Sequence, residues 1–159
     1  MKGVTLERPK GKGIREASSF AKGIIASLAI YNKKGKRGFL KEMGPEALQR
    51  QIRQGAAVFV AKHKGRVVGF VNYYPSSSGV GWIDWLLVDA NHRRKGLGTL
   101  MIRSVLDFAR KHGEHAVWAD TRTNNSKSIR LVKKIGFKKI GVFKKAWYKQ
   151  DFYLWRRRV

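Results

Sequence analysis

Apolar side chains recur at every third or fourth position in four stretches of the chain, which predicts four helices. We expect these helices over residues 17–31, 44–55, 97–111 and 126–135. Pro45 in the first turn of the second helix and Gly136 directly after the fourth are typical boundary residues. The basic run at residues 33–38 has no apolar repeat, and we interpret it as a mobile loop between apolar segments that join one core.

Elsewhere the apolar residues alternate with polar ones or form short continuous runs, and both patterns predict strands. We expect strands over residues 4–8, 57–61, 66–74, 82–88, 116–121, 138–143 and 151–156. The short turn at 62–65 predicts a hairpin, and the last two strands form another. This order of elements predicts an α/β (α+β) fold with a mixed, mostly antiparallel central sheet and helices on both faces. We expect one domain over residues 1–159.

The composition excludes several classes of protein. Hydrophobic residues make up 43% of the 159 residues, which excludes wholesale disorder. No apolar run reaches the roughly 20 residues that span a bilayer, so we expect a cytoplasmic protein with no membrane partner. The absence of cysteine excludes disulfides, cysteine-ligated zinc and cysteine nucleophiles. The four histidines have no ligand spacing with acidic residues, so we predict no metal.

The charge is strongly unbalanced, with 35 Lys and Arg against 10 Asp and Glu and a net charge of +25. Such a surface attracts anionic partners and repels cationic ones. Basic and aromatic residues occur together over 144–149 and again over 155–158, a composition that suits phosphate contacts and base stacking. A charged edge strand that resists aggregation would have the same composition, so both interpretations stay open.

One turn carries the features of an anion site. The apolar strand at 82–88 is followed by Arg93-Arg94-Lys95-Gly96-Leu97-Gly98-Thr99, where the next helix begins. The glycines allow close approach of backbone N–H groups, and the helix N-terminus adds about half a positive charge to the three cationic side chains. The spacing fits neither a phosphate-binding Walker loop nor a dinucleotide-binding glycine turn. We therefore expect a site suited to a pyrophosphate.

The arrangement Arg93-x-x-Gly96-x-Gly98 resembles the R/Q-x-x-G-x-G/A motif with which N-acetyltransferases of the GNAT superfamily bind acetyl-coenzyme A (acetyl-CoA). Further along, residues 125–137 are similar to the family segment N-x-x-A-I-x-L-Y-x-K-x-G-F, in the expected order and spacing. The string at 120–125 looks similar to the ribosomal-protein N-terminal acetyltransferase branch. The resemblance covers about residues 66–156 and implies a GNAT-like fold with acetyl-CoA as cosubstrate.

The resemblance implies that strands 82–88 and 116–121 diverge into a V that receives acetyl-CoA. Backbone groups of Leu86 and Val88 would pair with the pantetheine arm, and the Asn125 side chain would bind a pantetheine amide. Lys133 or Lys134 would lie near the 3′-phosphate. The residues that the resemblance assigns to acetyl-CoA are Leu86, Val88, Arg93, Arg94, Lys95, Gly96, Leu97, Gly98, Thr99 and Asn125.

The implied reaction transfers an acetyl group to a primary amine by direct attack on the thioester, and the amine must lose a proton. Most of the ten carboxylates belong to peripheral elements or helix surfaces in the predicted map, namely Glu7, Glu16, Glu42, Glu46, Asp107 and Glu114. Asp89 has the position of a capping residue. Asp84 and Asp120 remain as candidate catalytic bases, with Asp151 as an outsider. The alternative interpretation is structural: Asp120 would pair with Arg122 or cap the following helix, and Asp84 would pair with a buried arginine.

Asp84 is expected to share a strand face with Trp82, Leu86 and Val88, where an acid is costly without a partner or a function. Asp120 ends the next strand, in the position where the resembling branch often has its acidic base.

The chain departs from the family at Val132, where many members have a tyrosine that protonates the leaving thiolate. Tyr148, Tyr153 or water would have to replace it, or no acid is needed. The alternative function is a nucleic-acid- or ribosome-binding module on a catalytically degenerate GNAT fold. The acceptor of an active enzyme would be a protein N-terminus, a small molecule or an RNA-linked amine, and the protein a monomer or a homodimer.

From the charge we predict non-specific RNA binding that falls steeply with salt, because phosphate contacts release counterions. About six contacts would cost roughly a thousandfold in affinity between about 50 and 200 mM salt. Fluorescence anisotropy with a labelled RNA measures this. Polycations such as spermine should be poor acceptors unless a local acidic pocket overrides the mean field. Absence of RNA binding at low salt, or efficient acetylation of spermine, would contradict this interpretation of the charge.

Overall fold

A computed structural model describes residues 3–159, which form one seven-stranded sheet of order β1-β2-β3-β4-β5-β7-β6 flanked by five α-helices. The strands are β1 (Val4–Glu7), β2 (Ala57–His63), β3 (Arg66–Tyr74), β4 (Val80–Val88), β5 (Ala116–Arg122), β6 (Lys138–Phe143) and β7 (Phe152–Arg158). The helices are α1 (Lys12–Ser27), α2 (Lys33–Glu42), α3 (Pro45–Arg53), α4 (Leu97–Lys111) and α5 (Ser126–Lys134), with 3₁₀ turns at Ala90–His92 and Trp147–Lys149.

The sheet separates two apolar layers. One layer contains the buried residues of α4 and α5, and the other contains those of α1 and α3, with apolar side chains of α2 packed against it. All strand pairs are antiparallel except β4 and β5. The predicted α/β (α+β) class, with a mixed, mostly antiparallel sheet and helices on both faces, is therefore confirmed.

The segment predicted as a mobile loop at residues 33–38 is instead the first part of helix α2. Asn32 caps this helix, since its side-chain oxygen accepts a hydrogen bond from the backbone N–H of Gly35 at 2.8 Å. Phe39 then anchors the helix, with ring centroids 5.0 Å from Tyr31 and 4.8 Å from Trp85. The apolar residues of α2 lie at its C-terminal end, so the basic run alone shows no helical repeat. Helix α1 also lies nearer the N-terminus than the predicted 17–31.

A β-bulge changes which side of the sheet the end of β4 faces. Asn72 pairs with Trp85 and Tyr73 pairs with Ile83, so the register passes over Asp84 as an extra residue. Beyond the bulge, Leu86 and Val88 pack against the layer of α4. Trp82, Asp84 and Trp85 all line a cavity on the opposite side. The prediction that Asp84 shares a face with Leu86 and Val88 is wrong, because a period of two does not continue through a bulge.

Two glycines of α2 accommodate an aromatic ring from the loop between β6 and β7. A Cβ at Gly35 would lie 3.3 Å from the Tyr148 ring, and one at Gly38 would overlap the Tyr148 hydroxyl. Tyr148 also has a left-handed backbone with φ of 54°. Asn32 holds this loop by donating its side-chain N–H to the carbonyl oxygen of Tyr148 at 3.1 Å.

We predict that Gly38→Ala destabilises the protein, because the new methyl group displaces the Tyr148 ring. Alanine in place of a helical glycine is otherwise stabilising by about 0.5–1 kcal/mol. Gly23→Ala in α1, where a Cβ would meet open space among the described residues, is the matched control and should be stabilising. Urea unfolding of both variants measures the difference. A stabilised Gly38→Ala protein would show that the Tyr148 contact contributes little.

Candidate active site

Strands β4 and β5 separate partway along their length. Their parallel pairing ends at Ile83 and Ala119, although β4 continues to Val88 and β5 to Arg122. The next residue on each strand is an aspartate, so Asp84 and Asp120 lie where the two strands part. The structure therefore brings together the two acids that the sequence analysis left as candidates.

Both carboxyl groups are partly buried, and burial raises the pKa of each to about 7. The charges of Asp120 and Glu42 add to the rise at Asp84. The indole N–H of Trp82 donates a hydrogen bond to Asp120, which opposes the rise there. At neutral pH each group can therefore either accept or release a proton.

These acids face an open cavity of about 580 Å³ with aromatic walls. Its lining consists of eight aromatic residues and three carboxylates: Tyr31, Phe39, Glu42, Tyr74, Trp82, Asp84, Trp85, Asp120, Trp147, Tyr148 and Phe152. Glu42 was assigned to a helix surface by the sequence analysis, and this was wrong because the C-terminal end of α2 turns it toward the cavity. Burial raises the pKa of Glu42 as well. The cavity is the kind of local acidic pocket that can override a positive mean field.

Glu114 was also assigned to the periphery, which is wrong. It is only 5% exposed and accepts hydrogen bonds from the Tyr73 hydroxyl and the Ser76 backbone N–H. This carboxylate therefore supports the layer of α4 and lies outside the cavity lining. Asp89 is confirmed as a capping residue, because its carboxylate accepts the Asn91 N–H at 3.0 Å.

The candidate replacements for the missing tyrosine occupy different places. Val132 is buried in the layer of α4 and has no hydroxyl group. Tyr148 lines the aromatic cavity, where burial and the charge of Glu42 raise its pKa and keep the hydroxyl protonated. Tyr153 packs against the layer of α4 and does not line this cavity. Of the two tyrosines, Tyr148 is thus the one in the cavity that contains Asp84 and Asp120.

The open edge of β4 offers backbone groups to a ligand. The Asp89 N–H donates to the Val68 carbonyl on β3 at 2.9 Å. Because backbone groups alternate sides along an antiparallel strand, those of Val88 and Leu86 turn the other way, toward the gap. The Nε–H of Arg93 donates to the Val88 carbonyl oxygen at 2.9 Å and so holds its guanidinium at the same edge.

The glycine-containing turn leads from this edge into α4. Arg94 and Gly96 have left-handed φ values of 59° and 86°. In the described part of the chain no side chain caps α4, so its first N–H groups stay available to an anion. Gly98 has a second role that the sequence analysis missed, since a Cβ there would lie 3.0 Å from Leu131 in α5. Its small size therefore lets α4 and α5 approach each other.

Asn125 precedes α5, and its side-chain oxygen accepts the Ser128 N–H at 3.2 Å. Its amide N–H₂ group is not needed for this cap and can donate to a ligand. Together with the gap and the turn, this donor fits the predicted acetyl-CoA site, although the binding roles of these residues remain predictions.

Two other kinds of feature are absent from residues 3–159. This part of the chain has no helix that is long and apolar enough to cross a bilayer. It also contains no group of three or more histidine or acidic side chains placed to hold a metal ion.

The complete fold is that of solved acetyltransferase structures. The ribosomal-protein-S5-alanine acetyltransferase of Vibrio fischeri superposes with a TM-score of 0.81 at 19% identity, over 99% of this chain and 94% of that one. Residues 26–137 match the family model described as the Acetyltransferase (GNAT) family. The chain belongs to this family, and the resemblance found in its sequence is confirmed.

The curated relatives match only part of this chain, and the match covers only part of each relative. Human N-acetyltransferase 8 is 34% identical over 93 residues, which are 55% of this chain and 41% of that protein. The N-alpha-acetyltransferase of Sulfurisphaera tokodaii is 29% identical over 101 residues, which are 56% of this chain and 60% of that protein. The chain spans less than half the length of the human relative.

We predict that Gly96→Val weakens acetyl-CoA binding by at least about tenfold, because a β-branched residue resists the left-handed turn that presents the N–H groups. Gly113→Val at the other end of α4 is the matched control. It has the same kind of backbone, with φ of 75°, and a Cβ at either glycine would meet open space among residues 3–159. Calorimetric titration with acetyl-CoA, beside thermal unfolding, measures both. Equal affinity in the two variants would contradict the assignment of the turn.

Proposed function

We propose that the protein transfers an acetyl group from acetyl-CoA to the primary amine of an acceptor bound in the aromatic cavity, with Asp84 and Asp120 as the groups that take the amine proton. The observation that carries this proposal is the position of two carboxyls with raised pKa at the point where β4 and β5 separate. They border the cavity on one side and the predicted cosubstrate gap on the other. A degenerate binding module would have no need for two such costly acids.

Acetyl-CoA supplies an acetyl group that is already activated toward a neutral amine. On the protein side, the N–H groups of residues 94–99 and the Arg93, Arg94 and Lys95 side chains would hold its pyrophosphate. The backbone groups of Leu86 and Val88 would pair with its extended arm, and the Asn125 amide would bind an arm carbonyl. Their alignment along one edge would direct the arm toward the fork, the point at Asp84 and Asp120 where β4 and β5 separate.

The acceptor amine arrives mostly protonated, because the pKa of a primary amine lies between about 8 for an α-amino group and about 10 for an alkylamine. The aromatic walls and the three carboxylates stabilise that cation in the cavity. An ionised Asp84 or Asp120 then accepts its proton, which frees the nitrogen lone pair for attack. The Tyr148 hydroxyl is available as a proton donor to the leaving thiolate.

The names of similar proteins suggest the chemical class of the acceptor but not a single acceptor molecule. The similar structures and relatives include enzymes named for ribosomal-protein alanine and for N-alpha acetylation. We carry over the shared chemistry, a primary amine, and leave the protein N-terminus as one acceptor among small-molecule and RNA-linked amines.

We predict that turnover rises as the pH passes through about 7, because Asp84 and Asp120 then lose the proton that burial makes them retain. Asp120→Asn and Asp84→Asn should each lower kcat by about 10²–10⁴ and flatten this rise. Because the two acids interact, the midpoint belongs to the pair. Steady-state kinetics between about pH 6 and 9 decides. Near-full activity of both variants across this range would refute the assignment of the base.

Stability measurements separate loss of the base from loss of the fold. A carboxyl whose pKa is raised by folding binds more protons in the native than in the unfolded state, so stability falls as pH rises from about 4 to 7. Both Asn variants should thus be at least as stable as the natural protein at about pH 8. Asp107→Asn, on the exposed side of α4 beside Arg110, is the control and should leave kcat unchanged.

A further inference from the structure

A second cavity of about 440 Å³ lies against the aromatic one and has the opposite charge. It is lined by Asn32, Arg122, Thr123, Asn124, Lys145, Lys149, Gln150 and Asp151. Three of these residues are cations and one is a carboxylate. That carboxylate, Asp151, already accepts the Lys145 backbone N–H at 2.7 Å. Asp151, the third acid considered as a catalytic base, thus belongs to this basic cavity.

 

The two cavities adjoin each other through neighbouring residues. Tyr31, Phe152 and Tyr148 line the aromatic cavity, and the residue next to each of them, namely Asn32, Asp151 and Lys149, lines the basic one. Asp120 and Arg122 are two residues apart on the same face of β5, with one in each cavity. Two residues of an extended strand span about 6.6 Å. An acidic and a basic site are therefore held about 7 Å apart on a rigid strand.

Arg122 is positioned by contacts that leave part of its guanidinium free. One amino group donates to the Asp151 carbonyl oxygen at 3.1 Å, and the guanidinium carbon lies 5.3 Å from the centre of the Phe152 ring. Within residues 3–159 its buried Nε and the buried Oε1 of Gln150 have no hydrogen-bond partner. A planar guanidinium held in this way suits a carboxylate or a phosphate group.

We propose that the natural acceptor is a small amphoteric molecule, whose primary amine enters the aromatic cavity while a carboxylate or phosphate about 7 Å away binds Arg122, Lys145 and Lys149. This inference rests on the proposed function and narrows its acceptor class. Opposite charges in adjoining cavities favour one orientation of such a molecule and disfavour a plain amine or a diamine. The acidic cavity thereby accepts an ammonium group on a protein whose surface repels simple polycations.

The test compares three acceptors of matched length: 5-aminopentanoate, 3-aminopropyl phosphate and pentylamine. The first two carry their anion at the required spacing, and pentylamine has none. We expect kcat/KM to be at least about tenfold higher for one or both amphoteric compounds than for pentylamine, as charge-assisted hydrogen bonds imply. The preferred compound tells carboxylate from phosphate. Equal kcat/KM for all three would overturn the inference, while turnover of pentylamine would leave the proposed function standing.

Substitutions test which residues produce the preference for an amphoteric acceptor. Arg122→Gln and the exposed Lys149→Gln should each reduce the ratio of kcat/KM for the preferred amphoteric compound over pentylamine, by about fivefold or more. Lys111→Gln, an equal charge change in the last turn of α4, should leave the ratio unaltered. Because Arg122 also contacts Phe152, the Lys149 variant keeps the test valid if Arg122→Gln fails to fold. An unchanged ratio in a folded Lys149→Gln and Arg122→Gln protein would overturn the inference.

Binding provides a readout that does not depend on turnover. Trp82, Trp85 and Trp147 line the aromatic cavity, so a ligand there should alter tryptophan fluorescence. Selective binding of an amphoteric compound without acetylation of any amine would support the second cavity and refute the proposed function. Absence of binding by all three compounds would overturn the inference.

Discussion

The separation of β4 from β5 is the constraint on which the rest of the site depends. Each strand is held on its outer side, β4 by β3 and β5 by β7, but the two pair with each other over only four positions, Val80–Ile83 with Ala116–Ala119. Beyond that point both strands present inner backbone groups that the sheet does not use. Such groups require a partner, and an extended ligand arm can supply it. The same separation places Asp84 and Asp120 at the fork and leaves space for the aromatic cavity.

The aromatic cavity is acidic, although the molecule as a whole carries a strong positive charge. A net charge of +25 would by itself favour ionised carboxylates and lower their pKa values. Burial outweighs that field at Asp84 and Asp120, and each carboxyl has a pKa of about 7. Glu42 contributes a third acid to the same cavity. The protein thus combines a positively charged surface with an acidic cavity at the fork.

Much of the proposed acetyl-CoA site could be predicted from the sequence, because its residues are close together in the chain. The left-handed Gly96, the start of α4 and the three neighbouring cations are consecutive residues, and their chemistry follows from their order. The acceptor side is assembled from α2, the loop before β7 and two strands, which are distant in sequence. Glu42 was therefore assigned to a helix surface, and the role of Tyr148 was left open. Only packing shows that both residues line one cavity.

The sequence by itself determined the class of fold and the family, and it singled out the two acids that we propose as bases. Periodicity, glycine spacing and scarcity of carboxylates are properties of the chain alone. Tertiary structure decided which way the side chains face. A single extra residue at Asp84 reverses the alternation of β4 and turns Leu86 and Val88 away from the acids. The helix at Lys33–Glu42 also packs through Phe39 against the rings of Tyr31 and Trp85. Both outcomes depend on contacts between distant segments, which no local pattern contains.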